Sequence, residues 1–263
     1  MSTSILLGPH QLENFDGVIV DTRMPPNYLS GHIPGAVNVP FALVQQPLAM
    51  TRVVADPTSF AHLMGNAGID ENTDVVVYSQ FGYQDAGYTL WALQYYGHQN
   101  VHFLNGGIEA WQRAGLPLST ETVTASAKNF TVSTNEQLLA ETSWVVDHLH
   151  DDTVQILDNR TLGEHTGADA RAARGGRIPG AAWLEWVNLL SEDGTFKSEP
   201  EVKALFAEAG LKDEKTAVIH CQTATRSGLV YVGLQVIQHS NTRVYDASWG
   251  EWGNDPELPI ETG

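Results

Sequence analysis

The feature that most constrains this chain is that it is written twice: at an offset of about 140 residues, blocks of the first half return in the second in the same order. Val18-Ile19-Val20-Asp21-Thr22-Arg23 recurs as Gln155-Ile156-Leu157-Asp158-Asn159-Arg160, and Gly31-His32-Ile33-Pro34-Gly35-Ala36 as Gly176-Arg177-Ile178-Pro179-Gly180-Ala181. Ala67-Gly68-Ile69 leading to Val75-Val76-Val77-Tyr78-Ser79 matches Ala209-Gly210-Leu211 leading to Ala217-Val218-Ile219-His220-Cys221. Gly106-Gly107-Ile108-Glu109-Ala110-Trp111 before Leu116-Pro117-Leu118 matches Ala247-Ser248-Trp249-Gly250-Glu251-Trp252 before Leu258-Pro259-Ile260. A repeat this long is a domain, not a solenoid unit.

The copies are separated by a polar, small, aperiodic stretch from Ser119 to Lys128, so the expected organisation is one domain over 1–118, a linker over 119–133 and a second domain over 134–263. Within each copy, short β-branched runs (Val75 to Tyr78, Ala217 to His220) read as buried strands. Val202, Leu205 and Phe206, and equally Phe60, Leu63 and Met64, show helical spacing. The alternation predicts an α/β fold: two tandem domains, each a mainly parallel sheet flanked by helices, with ligands at the carboxyl ends of the strands.

Composition narrows the function. With 263 residues, 42% hydrophobic and 17% charged, the chain can build real cores. A net charge of -17 repels phosphate backbones and anionic lipid, which argues against nucleic acid or a membrane as partner. No apolar run reaches the length of a membrane span, and the start lacks a basic, then apolar, leader pattern, so a cytoplasmic location is expected. The single cysteine, Cys221, excludes an internal disulfide; no close-spaced ligand cluster points to a metal, and no glycine-rich phosphate loop points to a cofactor.

Cys221 lies where the run Ala217-Val218-Ile219 ends, and Gln222-Thr223-Ala224-Thr225-Arg226-Ser227 separates it from the apolar stretch Leu229 to Ile237. This reads as strand, loop, helix. A cysteine there faces backbone N–H groups and a helix N-terminus, with Arg226 adding a full positive charge, a setting that favours the nucleophilic thiolate and holds an anion beside it. A lone cysteine is more often a buried core filler, but this polar loop is the wrong place for one.

These blocks resemble the rhodanese superfamily, specifically its tandem-domain sulfurtransferases, over essentially the whole chain. The Asp-x-Arg strand ends, the Gly-His-Ile-Pro-Gly-Ala block, the Cys221 loop and the closing Trp249-Gly250-Glu251-Trp252-Gly253 fall in that family's order and spacing. The resemblance implies a ping-pong reaction. The Cys221 thiolate takes the outer sulfur of a small anionic donor, thiosulfate or 3-mercaptopyruvate, as a persulfide, and cyanide or a thiol then removes it. It also implies a silent first copy, where Ser79 stands in the cysteine's place in a loop, Ser79-Gln80-Phe81-Gly82-Tyr83-Gln84-Asp85, that is one residue longer and lacks the arginine. With no second cysteine, the acceptor must come from outside.

By the same resemblance, Arg226 holds the donor and Arg160 resembles a substrate-anion anchor braced by Asp158. Arg23 and Asp21 repeat the pair in the silent copy, which leaves a purely structural reading open. His32 matches an active-site partner of mercaptopyruvate-type relatives, or is a loop histidine bonded to nearby backbone. Arg177, with Arg171 and Arg174, forms a basic stretch that either draws in an anion or is a solvated loop. Trp111 and Trp252 read as packing, whereas Trp183, Trp186 and Trp249 have no counterpart and shape either a pocket or an interface. The loop lacks the lysine and glycines of the best-known tandem types, and the charge of Arg226 favours doubly charged thiosulfate. The competing functions are a non-enzymatic persulfide carrier or binding module for a dedicated protein, and a cysteine phosphatase. The latter is disfavoured because four residues, not five, separate Cys221 from Arg226. A monomer is expected, since two joined copies supply their own domain pairing.

Overall fold

A computed structural model describes residues 4–80 and 84–263; Phe81, Gly82 and Tyr83 of the first copy's loop lie outside the described residues. The first copy runs β1 (Leu6–Leu7), α1 (Pro9–Leu12), β2 (Val18–Asp21), α2 (Pro25–Ser30), β3 (Val37–Asn38), a hairpin of β4 (Gln45–Leu48) and β5 (Thr51–Val54), α3 (Pro57–Asn66), β6 (Val75–Tyr78), α4 (Gln84–Tyr95), β7 (Val101–Leu104) and α5 (Gly107–Arg113). The second runs α6 (Thr142–Asp147), β8 (Val154–Asp158), α7 (Leu162–Thr166), β9 (Ala182–Trp183), α8 (Glu199–Glu208), β10 (Thr216–His220), α9 (Thr225–Val236), β11 (Thr242–Val244) and α10 (Ser248–Trp252).

Among the described residues the first sheet has the order β1-β7-β6-β2-β3 and the second β11-β10-β8-β9, with parallel pairing throughout both. The α/β expectation is met. A parallel strand covered on both faces reads as a near-continuous apolar run, which is what Val75–Tyr78 and Ala217–His220 are: every one of these residues is buried. Phe60 and Met64 of α3, and Val202 and Phe206 of α8, bury the face their spacing marks. Caps fix where these helices begin. Asp56 accepts from the N–H groups of Thr58 and Ser59 ahead of α3, and Ser198 with Glu201 forms a capping box on α8.

The chain divides into two compact units that do not follow the sequence boundary. One comprises the chain up to Gln46, Val54–Asn135 and Ser191–Phe196; the other comprises Pro47–Val53, Glu136–Leu190 and Lys197–Gly263. Each unit thus takes in a short piece of the other copy. The linker stretch over 119–133 packs on the first unit: Lys128 N donates to Gly65 O at 2.9 Å, its Nζ reaches Thr73 Oγ1 at 2.8 Å, and Phe130 is buried against Phe60 and His98. Its polar side chains and backbone find fixed partners there, which composition alone does not foretell. No helix among the described residues is long and apolar enough to cross a membrane.

Candidate active site at the end of the second sheet

In the second unit, the last residue of β10, His220, pairs in register with Asp158, the last of β8, and the chain turns into the loop at Cys221. The turn is held by one oxygen. Ser248 Oγ accepts from Cys221 N at 3.2 Å and from Ala224 N at 3.0 Å, and donates to Tyr245 O at 2.8 Å. Both Ala224 and Ser248 have φ +55°, a conformation that L residues adopt at a cost of roughly 1–2 kcal/mol. Cys221 O and Gln222 O accept from Trp249 N at 3.0 Å and Gly250 N at 2.8 Å, docking the loop onto α10. Two of the loop's N–H groups are therefore spent on Ser248 and do not face a bound anion.

Cys221 is a free thiol, 1% exposed. Arg226, in the first turn of α9, reaches it, but the guanidinium is also gripped edge-on by Glu164: Nη1 to Oε2 at 2.6 Å and Nη2 to Oε1 at 2.9 Å. Burial works against the charge of Arg226, and Glu164 and Cys221 together outweigh it, raising its pKa. Burial also opposes the charge of Glu164, yet Arg226 and Thr161 bring its carboxyl down to about 2. Thr161 and Glu164 form the capping box of α7, so one carboxylate both starts that helix and faces the loop. Gln222 and Thr223 are half-buried; Gln222 Nε2 donates to Arg171 O at 3.2 Å, while Thr223 and Thr225 hydroxyls lie 3.4 Å apart.

Arg160 differs from the anion-anchor expectation. It is 1% exposed, with Nε on Asp158 Oδ1 at 2.8 Å, Nη2 on Asp158 Oδ2 at 2.6 Å and on Gly176 O at 2.7 Å, and its guanidinium 4.3 Å from the Trp249 ring. Arg23 repeats this on Asp21 and Gly31 O, a brace between strand end and the following loop. Asp158 is also bonded by His165 at 3.0 Å; burial would raise its carboxyl, but these partners hold it below the ordinary range. His220, fully buried 4.0 Å from Asp158, is lowered to about 4 by burial.

His32 is buried in the first unit, stacked on Tyr28, with its ring nitrogens 2.8 Å from Tyr28 O and 3.1 Å from Glu121 O, which is the loop-histidine arrangement. Arg177 binds Glu261 and Gly263 O, and Arg174 the carbonyls of Leu258, Trp252 and Asp255, so both strap down the C-terminal segment. Of the basic stretch, Arg171 is the member near the site, with Nη1 3.7 Å from Glu164 Oε1. Trp249 is a fully buried core residue. Glu164, Ser248 and His165 are the residues that sequence reasoning passed over. Thr161-x-x-Glu164 was there to be read as a helix start, but nothing local pairs it with Arg226.

A rhodanese-like domain matches residues 9–114 and again 141–255. The chain belongs to the rhodanese family. Among its relatives, thiosulfate sulfurtransferase of Azotobacter vinelandii is 32% identical over 246 residues, covering 93% of this chain and 90% of that protein. Sulfur carrier protein TtuD of Thermus thermophilus is 33% identical over 252 residues, covering 90% and 87%. The crystal structure of SseA from Escherichia coli, a 3-mercaptopyruvate sulfotransferase, superposes with a TM-score of 0.84 at 27% identity, covering 94% of this chain and 99% of that one.

The two rhodanese copies differ where the chemistry would be. Ser79 follows β6 as Cys221 follows β10, and Ser79 O accepts from Ile108 N at 3.1 Å just as Cys221 O accepts from Trp249 N. Asp85, the second residue of α4, stands where Arg226 is the second residue of α9, and burial raises its carboxyl to about 6. Tyr78 replaces His220 and donates to Asp21 at 2.6 Å. Nucleophile and cation are thus both exchanged in the first copy, the cation for an acid.

Proposed function

We propose that the protein is a sulfurtransferase that carries sulfane sulfur as a persulfide on Cys221. The observation that carries this reading is the sole cysteine of a rhodanese chain at the carboxyl end of β10, within reach of Arg226 at the start of α9. The Cys221 thiolate attacks the outer sulfur of the donor. In thiosulfate the S–S bond breaks and sulfite leaves with the electron pair, whereas in 3-mercaptopyruvate the C–S bond breaks and pyruvate leaves as its enolate; either way Cys221 is left as a persulfide. Cyanide or an external thiolate then attacks the terminal sulfur and returns the Cys221 thiolate.

Thiosulfate is the donor we favour, on the strength of the Azotobacter vinelandii relative. The charge of Arg226 is a weaker argument than it looked, because Glu164 stands against it. Arg160 and Asp158 act as a brace at the strand end, and Gln222, Thr223 and Thr225 are half-buried members of the loop itself. A carrier role, handing sulfur to a dedicated protein, is supported by the likeness to TtuD.

Intact mass decides. Thiosulfate should add about 32 Da, one sulfur, to the wild type and nothing to Cys221→Ser, and cyanide should remove it. Failure to load from thiosulfate and from 3-mercaptopyruvate alike would defeat the proposal; loading without turnover on cyanide would favour the carrier.

A further inference from the structure

Glu164 has more contact with the reacting loop than a helix cap requires. It is 1% exposed, and both its oxygens are taken by the two outer nitrogens of Arg226, the one cation in the segment 221–227. A bidentate carboxylate at these distances is a strong, geometrically fixed partner. Arg226 therefore meets a donor already paired, and the surroundings add further negative charge. Half-buried Glu185 lies close enough to feel both groups: burial raises its carboxyl, Arg226 pulls it down and Glu164 pushes it up. Arg171, more than half exposed and 3.7 Å from Glu164, is the nearby counterweight.

We propose that Glu164 is a positioning residue that sets donor specificity: by pairing with both terminal nitrogens of Arg226 it offsets the loop's cation, and so holds down affinity for doubly charged donors relative to singly charged or neutral ones. The inference rests on Cys221 being the sulfur-accepting nucleophile. Its physical content is a local potential at the thiolate, which acts on any charged reagent whether or not the protein turns over.

Glu164→Gln separates charge from structure, since glutamine also serves at the third position of a capping box. The rates at which iodoacetate (anionic) and iodoacetamide (neutral) alkylate Cys221 are followed by intact mass, and their ratio cancels changes in the thiolate itself. In Glu164→Gln the iodoacetate-to-iodoacetamide ratio rises roughly 3- to 30-fold, and KM for thiosulfate falls by a similar factor with kcat changing less. In Glu164→Gln/Arg226→Gln the rise disappears, because no cation is left to uncover. An unchanged ratio, or a KM for thiosulfate that is unchanged or raised, in a Glu164→Gln protein with native circular dichroism overturns the proposal. Absence of sulfur loading in the wild type is a separate result: it defeats the donor reading, while the alkylation ratio still decides the role of Glu164.

Discussion

Ser248 shows how much of a site can hang on one hydroxyl. Its Oγ takes the N–H groups of Cys221 and Ala224 and gives its own proton to Tyr245 O. Ser248→Ala leaves those two buried donors unpaired, so urea unfolding should show a loss of about 1–3 kcal/mol, and kcat should fall more than KM rises. Acid response is set by other buried side chains. The folded pKa of His220 is depressed from 6.5 to about 4, so the unfolded chain takes up the proton first and stability falls as pH drops from 6.5 toward 4. Glu164, depressed from 4.5 to about 2, contributes stability that is present above 4.5 and lost as pH falls toward 2. Asp85, raised to about 6, slopes the other way between 3.8 and 6, so a variant isolates His220 better than the wild-type curve does. His220→Tyr, which installs the first copy's solution of Tyr78 on Asp21, should flatten the limb between pH 6.5 and 4 and leave the one below 4.5 in place. An unaltered unfolding midpoint across that window would refute the assignment.

Helix α10 is an element placed by what it lacks. A Cβ on Gly250 would sit 2.6 Å from Thr51 Oγ1 and 2.9 Å from Gln222 O, and Thr51 is itself fixed by donating to Ala247 O at 2.8 Å. Gly250→Ala should therefore push α10 off the Cys221 loop, costing roughly 1–3 kcal/mol by thermal or urea unfolding and slowing sulfur loading. Between β8 and the loop that follows, Arg160 joins Asp158 to Gly176 O through a planar fork that lysine cannot reproduce. Arg160→Met, which leaves Asp158 buried without its cation, should lose about 3–5 kcal/mol by urea unfolding, and the same change at Arg23 should cost a comparable amount without touching sulfur transfer directly. Strands and their carboxyl ends were legible because β-branched runs and the Asp-x-Arg repeats are local signals. The pairing of Glu164 with Arg226 was not, since 62 residues separate them and a capping box names a helix start without saying what its carboxylate will meet. Arg160 stood open between anchor and brace for a related reason: a strand end faces the site in this fold, while the aspartate two residues before it holds its guanidinium.

At the scale of the molecule, a net charge of -17 makes the compact state repel itself. Raising sodium chloride from about 10 mM to about 300 mM should raise the Tm by several degrees, and an unchanged or lower Tm would mean that the buried pairs, not the surface, dominate the electrostatics. Duplication was visible in the sequence from its repeated blocks. The exchange of Pro47–Val53 and Ser191–Phe196 between units was not, because hydrophobic pattern reports that a segment packs and not against which copy. That exchange bears on why a copy without its nucleophile endures. Val53 lies against the core that holds Trp249 and Trp252, and Thr51 bonds the residue just ahead of α10. A deletion of the first half would tear a piece out of the unit that holds the cysteine. The repeat therefore cannot be cut at its own boundary into two self-sufficient halves, because seven residues written in the first copy are built into the second unit.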